Sequence, residues 1–382
     1  MNETRYKCAV CNNILHNIFS IEKVPIKAIC VENYTNNYSD KLSFSKCVLC
    51  NTIQLDKMIP LHILYSDSHN VTSVGNVWKK YFDLFLEKLQ PLIQNRHVFE
   101  IGCPSGKIAM NASGFEKYYI VDPNKNDNVN FNEKHITFIK AFFDKDFVCD
   151  ARVDVIVHSH LFEHIYEPNI FLQKCYEVLH DDGEMLFGVP NMSNFIDSKN
   201  CPFLGVFFEH TIFLNVENIT FLLEKNGFEV IEIIYYEKHS VIYHCKKQKK
   251  IQENDNVNFT ESNAFKIINY LEEFNESYTN YNQYIQSTNM VLAETNKKVY
   301  IFGAGYNSQI LLAIGVDVTY ITGILDNCMD KQGKYLYGFK LMIFSPQVLA
   351  KEDCIVVLKN GYYCEEIKRQ IININPNTLI IC

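Results

Sequence analysis

Four short apolar runs frame the middle of the chain: Val98 to Ile101, Tyr118 to Val121, Asp154 to Val157 and Met185 to Val189. Each is nearly continuous and bounded by glycine, asparagine or acidic residues, the pattern of a strand buried on both faces. A helical pattern over Phe171 to Leu179 separates the last two, so the order predicts an α/β fold with a parallel sheet. The first run leads into the loop Gly102-Cys103-Pro104-Ser105-Gly106, and the second ends on Asp122. Strand, glycine loop, helix, strand and acid make a nucleotide-binding unit. Glycines admit a ligand close to the backbone, and a carboxylate at the strand end can accept both hydroxyls of a ribose.

The alternation returns near the C-terminus. "KKVYIFGAGYNSQILLAIGVDVTYITGILDN" reads as strand, Gly303-Ala304-Gly305 loop, helix, and a strand ending at Asp326. Ser308 stands where a dinucleotide fingerprint has its third glycine, so nicotinamide binding is weakly indicated. Between the two units, Lys246 to Asn263 is polar and nearly free of core residues, a linker pattern. Beyond it Phe265, Ile268, Leu271 and Phe274 recur at helical spacing and predict a packing stripe. The expected division is a zinc-binding domain over 1–68, a cofactor-binding domain over 69–246, a linker over 247–263 and a second Rossmann-like domain over 264–382.

Composition narrows the classes. A chain of 382 residues with 47% hydrophobic and 21% charged residues exceeds the usual single domain and can bury large cores. No apolar run approaches membrane-spanning length, and the first residues carry no apolar signal region, so a cytoplasmic protein without a membrane partner is expected. The net charge is -8, and the only basic block is the short "KKQKK" at 246–250, which argues against a nucleic-acid partner.

Fourteen cysteines include two Cys-x-x-Cys hooks, Cys8/Cys11 and Cys47/Cys50; the other ten are scattered singly, as reduced thiols would be. Four thiolates on two tight turns can close tetrahedrally on one Zn²⁺, leaving no open position, so the ion is expected to be structural. Thirty-five residues between Cys11 and Cys47 are expected to form a small subdomain of their own. The alternative is four buried or redox-active thiols.

Glu100-Ile101-Gly102-Cys103-Pro104-Ser105-Gly106 resembles motif I, E-x-G-x-x-x-G, of the class I S-adenosylmethionine-dependent methyltransferases. In that family the loop wraps the methionine and sugar part of the donor. The resemblance implies that Glu100, Gly102, Cys103 and Gly106 contact the donor and that Asp122 holds its ribose. "HSHLFEHIYEP" resembles the segment after the fourth strand of these enzymes, which borders the donor; this adds His160 and leaves Glu163 and His164 to shape the pocket or cap a helix.

Further on, Glu209 and His210 precede a helix expected around Val216 to Lys225. An imidazole titrating near neutrality beside a carboxylate that can orient it is a sensible general base. The hooks, the E-x-G-x-x-x-G unit, the aromatic-Glu-His segment and "ILDNCMDKQGKYLYGFKLMIFSP" together resemble the bacterial deoxysugar C-methyltransferases of the tetronitrose type over essentially the whole chain. In that family one of the Glu-His pair removes the C3 proton of a nucleotide-linked 4-keto sugar, giving an enolate that attacks the sulfonium methyl. Its second Rossmann-like domain encloses the nucleotide-sugar, which implies substrate roles for Gly303, Gly305 and Lys331. Phe207 and Phe208 replace the family's Tyr-His before the pair, so sugar O-methylation on the same fold stays open. From other classes, an NAD-dependent sugar oxidoreductase using the C-terminal G-x-G and a non-catalytic zinc-containing binding protein remain alternatives. The oligomeric state is not legible.

Overall fold

The computed structural model describes residues 3–34, 37–66, 75–125, 131, 135–192, 205–249, 281–351, 353–359 and 363–382. Most of the expected linker, and the stripe Phe265, Ile268, Leu271 and Phe274, lie outside these residues.

The apolar runs form the centre of a seven-stranded sheet. Its order is Phe228–Tyr236, Ser240–Lys247, Glu184–Pro190, Val155–Ser159, His97–Ile101, Lys117–Asp122 and Ile136–Lys140. Only Ser240–Lys247 runs against the others. Val98, Phe99, Val155, Ile156 and Val157 are fully buried, as continuous apolar strands must be when helices cover both faces. The chain enters at His97–Ile101, builds outward to Ile136–Lys140, then crosses back to Val155–Ser159. The strand order therefore reverses between Ile101 and Ser159, and in an open parallel sheet the ligand crevice lies at the carboxyl ends flanking that reversal. This is the Rossmann-like class I methyltransferase fold that the motif predicts.

The C-terminal domain is a second parallel sheet of five strands, ordered Ile343–Phe344, Gly323–Leu325, Lys298–Phe302, Cys354–Val357 and Leu379–Ile381. Helices Tyr306–Ile314 and Cys364–Ile374 accompany it.

The N-terminal unit departs from the expected self-contained subdomain. Leu15–Pro25, Ser39–Cys47 and Ile53–Leu55 form an antiparallel sheet, but its fourth strand, Ile212–Phe213, comes from the methyltransferase domain. Cys30–Val31 pairs in turn with Tyr335–Leu336 of the C-terminal domain. One continuous core joins Ile21, Leu42 and Leu55 to Val299, Ile310 and Ile324, while Cys8, Val10 and Cys47 pack with Phe171 and Leu222. So few residues cannot bury a core of their own, and an unpaired sheet edge is unfavourable; both needs are met by the neighbouring domains. No helix among the described residues is long and apolar enough to cross a membrane.

Candidate active site

The donor side is built at the end of His97–Ile101. Gly102 and Gly106 have φ of +76° and +60°, the left-handed region, and each backs onto packed side chains. A Cβ on Gly102 would meet the Leu161 side chain at 2.8 Å, and one on Gly106 the Phe131 ring at 2.3 Å. Cys103 lies in the turn between them, its carbonyl accepting the Gly106 N–H at 3.0 Å. Glu100 is fully buried and accepts a 2.8 Å hydrogen bond from Tyr118 Oη; burial pushes its carboxyl up to about 7. Asp122 ends the next strand. Burial pushes it up to about 6 against the Asn124 N–H donated to Oδ1 at 2.7 Å, and Oδ2 remains for a ligand. Two carboxyls beside a glycine cradle suit a cationic donor bearing a ribose, so the residues present fit S-adenosylmethionine.

His160 does not stand free beside this cradle. With φ of +51° its ring lies 4.7 Å from Trp78 and 5.2 Å from Tyr81, and Nε2 is 3.0 Å from Ser240 Oγ. Leu161, the next residue, is the side chain that covers Gly102. The left-handed backbone at His160 swings the two side chains apart, which the sequence does not announce.

Two Glu-His pairs far apart in sequence meet at the same sheet edge. Glu163 and His164 lie on the short helix Phe162–His164, while Glu209 and His210 precede the edge strand Ile212–Phe213. Thr211 clamps them: its N–H donates to the Glu163 carbonyl at 2.9 Å and its Oγ1 to the Ile165 carbonyl at 2.8 Å. Glu163 Oε1 is 3.5 Å from His160 Nδ1 and 3.8 Å from His164 Nε2. Burial pushes Glu163 up to about 7, against the pull of His164. His210 Nδ1 lies 2.9 Å from the Gly205 carbonyl, and burial pushes the imidazole down to about 3, keeping it neutral. With Nδ1–H on that carbonyl, Nε2 carries the lone pair.

Tyr65, from the N-terminal unit, completes the cluster. Its Oη is 3.4 Å from His164 Nδ1, and its carbonyl accepts from Asn124 Nδ2 at 3.3 Å, beside Asp122. Burial, with the charges of Glu209, Tyr166, Glu163 and Asp122, pushes its hydroxyl well above the usual tyrosine range, so it stays a donor. Arg5 ties the same elements from behind, donating to the carbonyls of Tyr166, Leu55 and Thr211. No motif surrounds Tyr65 or Arg5 in the sequence, and Leu161 lies in the segment after the fourth strand with nothing to mark it there. Only topology reveals them.

In the C-terminal domain the glycine turn closes on itself. Gly303 has φ of +101°, Gly305 is extended, and Asp326 Oδ2 accepts the Ala304 N–H at 2.8 Å. Lys331, expected in a substrate role, donates to the Ala304 carbonyl at 2.9 Å and lies 3.4 Å from Asp326 Oδ2. A short loop lets the ammonium reach its own turn, where an acid and a carbonyl already converge. Ser308 Oγ, in place of the third glycine, donates to the Gly303 carbonyl at 2.5 Å. Tyr306 is the residue that reaches outward: its Oη accepts the Gly205 N–H at 3.1 Å and its ring stacks on Phe207.

The four hook cysteines converge, with Cys8 Sγ 3.5 Å from Cys50 Sγ and Cys11 Sγ 3.4 Å from Cys47 Sγ. The sulfurs receive donors: Val10 N–H and Gln54 Nε2 reach Cys8 at 3.4 and 3.1 Å, and Leu49 N–H reaches Cys47 at 3.4 Å. Asn12 and Asn51 take positive φ just after each hook, turning the chain sharply. Four sulfurs within 4.8 Å, served by N–H donors, fit a closed tetrahedral ion.

Comparison with known proteins finds methyltransferase domains in this chain. Residues 75–233 match the family described as "Methyltransferase domain", and residues 235–376 match "C-methyltransferase C-terminal domain". A probable S-adenosylmethionine-dependent methyltransferase of Mycolicibacterium smegmatis is 27% identical over 165 residues, 41% of this chain and 60% of that protein. A similarly named protein of Mycobacterium tuberculosis is 26% identical over 165 residues, 41% of this chain and 57% of its own length. The chain thus spans about 60% of the length of the curated relatives it matches. Among solved structures, the N-methyltransferase NodS of Bradyrhizobium japonicum aligns with a TM-score of 0.37 at 12% identity, covering 47% of this chain and all of that one. An S-adenosylmethionine-dependent methyltransferase of Clostridium acetobutylicum aligns with a TM-score of 0.36 at 13% identity, covering 46% of this chain and 93% of that one.

Proposed function

We propose that this chain, which carries a methyltransferase domain followed by a C-methyltransferase C-terminal domain, transfers a methyl group from S-adenosylmethionine to a ring carbon of a nucleotide-linked 4-keto deoxysugar. The observation that carries the reading is the meeting of Glu163, His164, Glu209, His210 and Tyr65 beside the crevice that holds Gly102 and Asp122.

Bound donor supplies an electrophilic methyl on a positively charged sulfur. Glu100, Gly102, Cys103 and Gly106 cradle it, and Asp122 takes its ribose. The base that removes the proton beside the sugar carbonyl comes from the Glu209-His210 pair. His210 is neutral, and its tautomer is fixed by the Gly205 carbonyl, so its second nitrogen presents a lone pair, although burial makes this imidazole a weaker base than the one titrating near neutrality that the sequence suggests. Tyr65, held protonated, can donate to the oxyanion that forms as the proton leaves. Cys8, Cys11, Cys47 and Cys50 would hold Zn²⁺, which would fix the N-terminal unit that brings Tyr65 to the site. Sugar O-methylation is the second reading, favoured by the Phe207 ring 4.3 Å from His210, which places an apolar surface where the resembled family carries a hydroxyl.

The experiment is methyl transfer in deuterated water with labelled donor and a panel of nucleotide-linked sugars, with and without a 4-keto group. A new carbon-bound methyl, together with deuterium exchange at the adjacent carbon, supports the reading. A methyl on oxygen, or transfer only to non-keto sugars, replaces it with the second.

A further inference from the structure

We infer that Glu163, His164 and His210 form a second metal site, distinct from the cysteine clip, that takes a divalent transition-metal ion. One ligand atom from each of the three lies within 4.8 Å of the others. His164 turns Nε2 toward Glu163 Oε1 at 3.8 Å, and its other nitrogen, Nδ1, lies 3.4 Å from Tyr65 Oη. His210 has Nδ1 on the Gly205 carbonyl at 2.9 Å. Each imidazole therefore has its Nδ1 beside an oxygen, and His164 presents Nε2 to the carboxylate. That is the arrangement by which proteins orient metal-binding histidines.

The carboxylate is the second, independent observation. Glu163 is 3% exposed, and its Oε2 is buried without a hydrogen-bond partner among the described residues. Among the described residues, its neighbours within 4 Å that can carry positive charge are His160 and His164, with no lysine or arginine. A buried carboxylate oxygen with nothing to bind is costly, and a cation removes that cost. The framework is already fixed, because the Thr211 N–H on the Glu163 carbonyl holds the two ligand-bearing segments together.

Ligand chemistry selects the ion. Two imidazoles and one carboxylate suit Zn²⁺, Co²⁺, Ni²⁺ or Fe²⁺, whereas Mg²⁺ and Ca²⁺ prefer oxygen throughout. Metal bonds of about 2.0–2.2 Å require the ligand atoms to draw in by about 1 Å, a side-chain adjustment. Three protein ligands leave a position open, in contrast to the closed clip.

The consequence for turnover rests on the proposed function. An ion here occupies the imidazole that the base pair needs, so metal and acceptor exclude each other while donor binding is unaffected.

The test uses Co²⁺ as probe on the full-length protein, with metal per chain measured after equilibrium dialysis and absorption recorded. Two ions are expected, one giving intense sulfur-to-cobalt bands and one giving only weak visible bands. His164→Ala and Glu163→Gln should each hold a single ion with the sulfur bands intact, which also shows that the variant has folded. Cys47→Ser should keep the weak bands. A single ion in the wild-type protein, or two ions in both the His164 and Glu163 variants, would overturn the site. Zn²⁺ inhibition competitive with the acceptor tests the consequence. Should no sugar be methylated while the second ion binds as described, the proposed function fails and the metal site stands.

Discussion

Phe207 stacks on Tyr306 with ring centroids 4.4 Å apart and planes 15° from parallel, joining the loop that carries His210 to the first turn of helix Tyr306–Ile314 in the C-terminal domain. The contact continues through polar atoms: Gly205 donates its N–H to Tyr306 Oη, and its carbonyl meets His210 Nδ1. Whatever displaces Tyr306 therefore displaces the imidazole. A stacked pair contributes about 1 kcal/mol beyond burial, and a hydrogen bond a similar amount. Tyr306→Ala is expected to lower kcat/KM for the acceptor about 10-fold or more, with Tyr306→Phe in between and donor affinity unchanged. Steady-state kinetics beside donor titration check this.

His210→Asn keeps a polar side chain but removes the titrating nitrogen. Turnover is expected to fall by about 10²–10⁴, the usual range for general-base loss, while donor binding measured by calorimetry stays intact. Full turnover in this variant and in Glu209→Gln would remove both from the mechanism.

Asp122 is pushed up to about 6 by burial, so its carboxylate is lost as pH falls through that value. Donor affinity is expected to be highest above pH 7 and to decline toward pH 5. Asp122→Asn should bind donor about 10- to 100-fold more weakly at pH 8, and this part of the pH dependence should disappear.

Burial pushes the Glu163 carboxyl from its ordinary 4.5 up to about 7, so the native state holds this proton more tightly than the unfolded chain does. Its stabilising contribution is fully present below pH 4.5 and is lost as pH rises through about 7. Glu163→Gln, neutral throughout, is expected to match the wild type near pH 4.5 and to exceed it by about 1–3 kcal/mol at pH 9. Denaturant titrations at the two pH values, without added metal, give the comparison.

The clip and the site are joined through backbone. Gln54 donates to Cys8 Sγ and pairs with Ile212, and Leu55 N–H donates to the Thr211 carbonyl at 2.8 Å. Cys47→Ser is expected to lower Tm by about 5–10 °C, and also to reduce turnover at temperatures where the variant is folded. Turnover equal to wild type would show that the edge strand holds its register without the ion.

How much of this was legible follows element by element. Continuous apolar runs are long enough to declare themselves, so the strands around Phe99, Ile120, Ile156 and Phe187 sit where the pattern puts them. Glycine and acid at strand ends carry geometric demands that spacing expresses, which is why Gly102, Gly106 and Asp122 were readable. Ile212–Phe213 is two residues long and has no period to read. Tyr65 comes from a segment with no motif, placed by domain packing. The spacing of Lys331 marked it as special, but spacing does not show that its ammonium reaches Asp326 and the Ala304 carbonyl of its own turn. Glu163 and His164 were visible as a pair. Their partnership with His210 depends on Thr211 bridging two distant segments.

The borrowed strand has a consequence for synthesis. Ile53–Leu55 emerges from the ribosome long before Phe213, its sheet partner, and Cys30–Val31 precedes Leu336 by longer still. At the usual rates of translation the gap is on the order of ten seconds or more, during which an apolar sheet edge has no intramolecular cover. The cysteine clip, by contrast, is complete at Cys50 and can close at once. Metal captured by the nascent chain would then act as a chaperone for its own N-terminus, and zinc-starved cells should accumulate this protein as aggregate, with little folded, inactive enzyme.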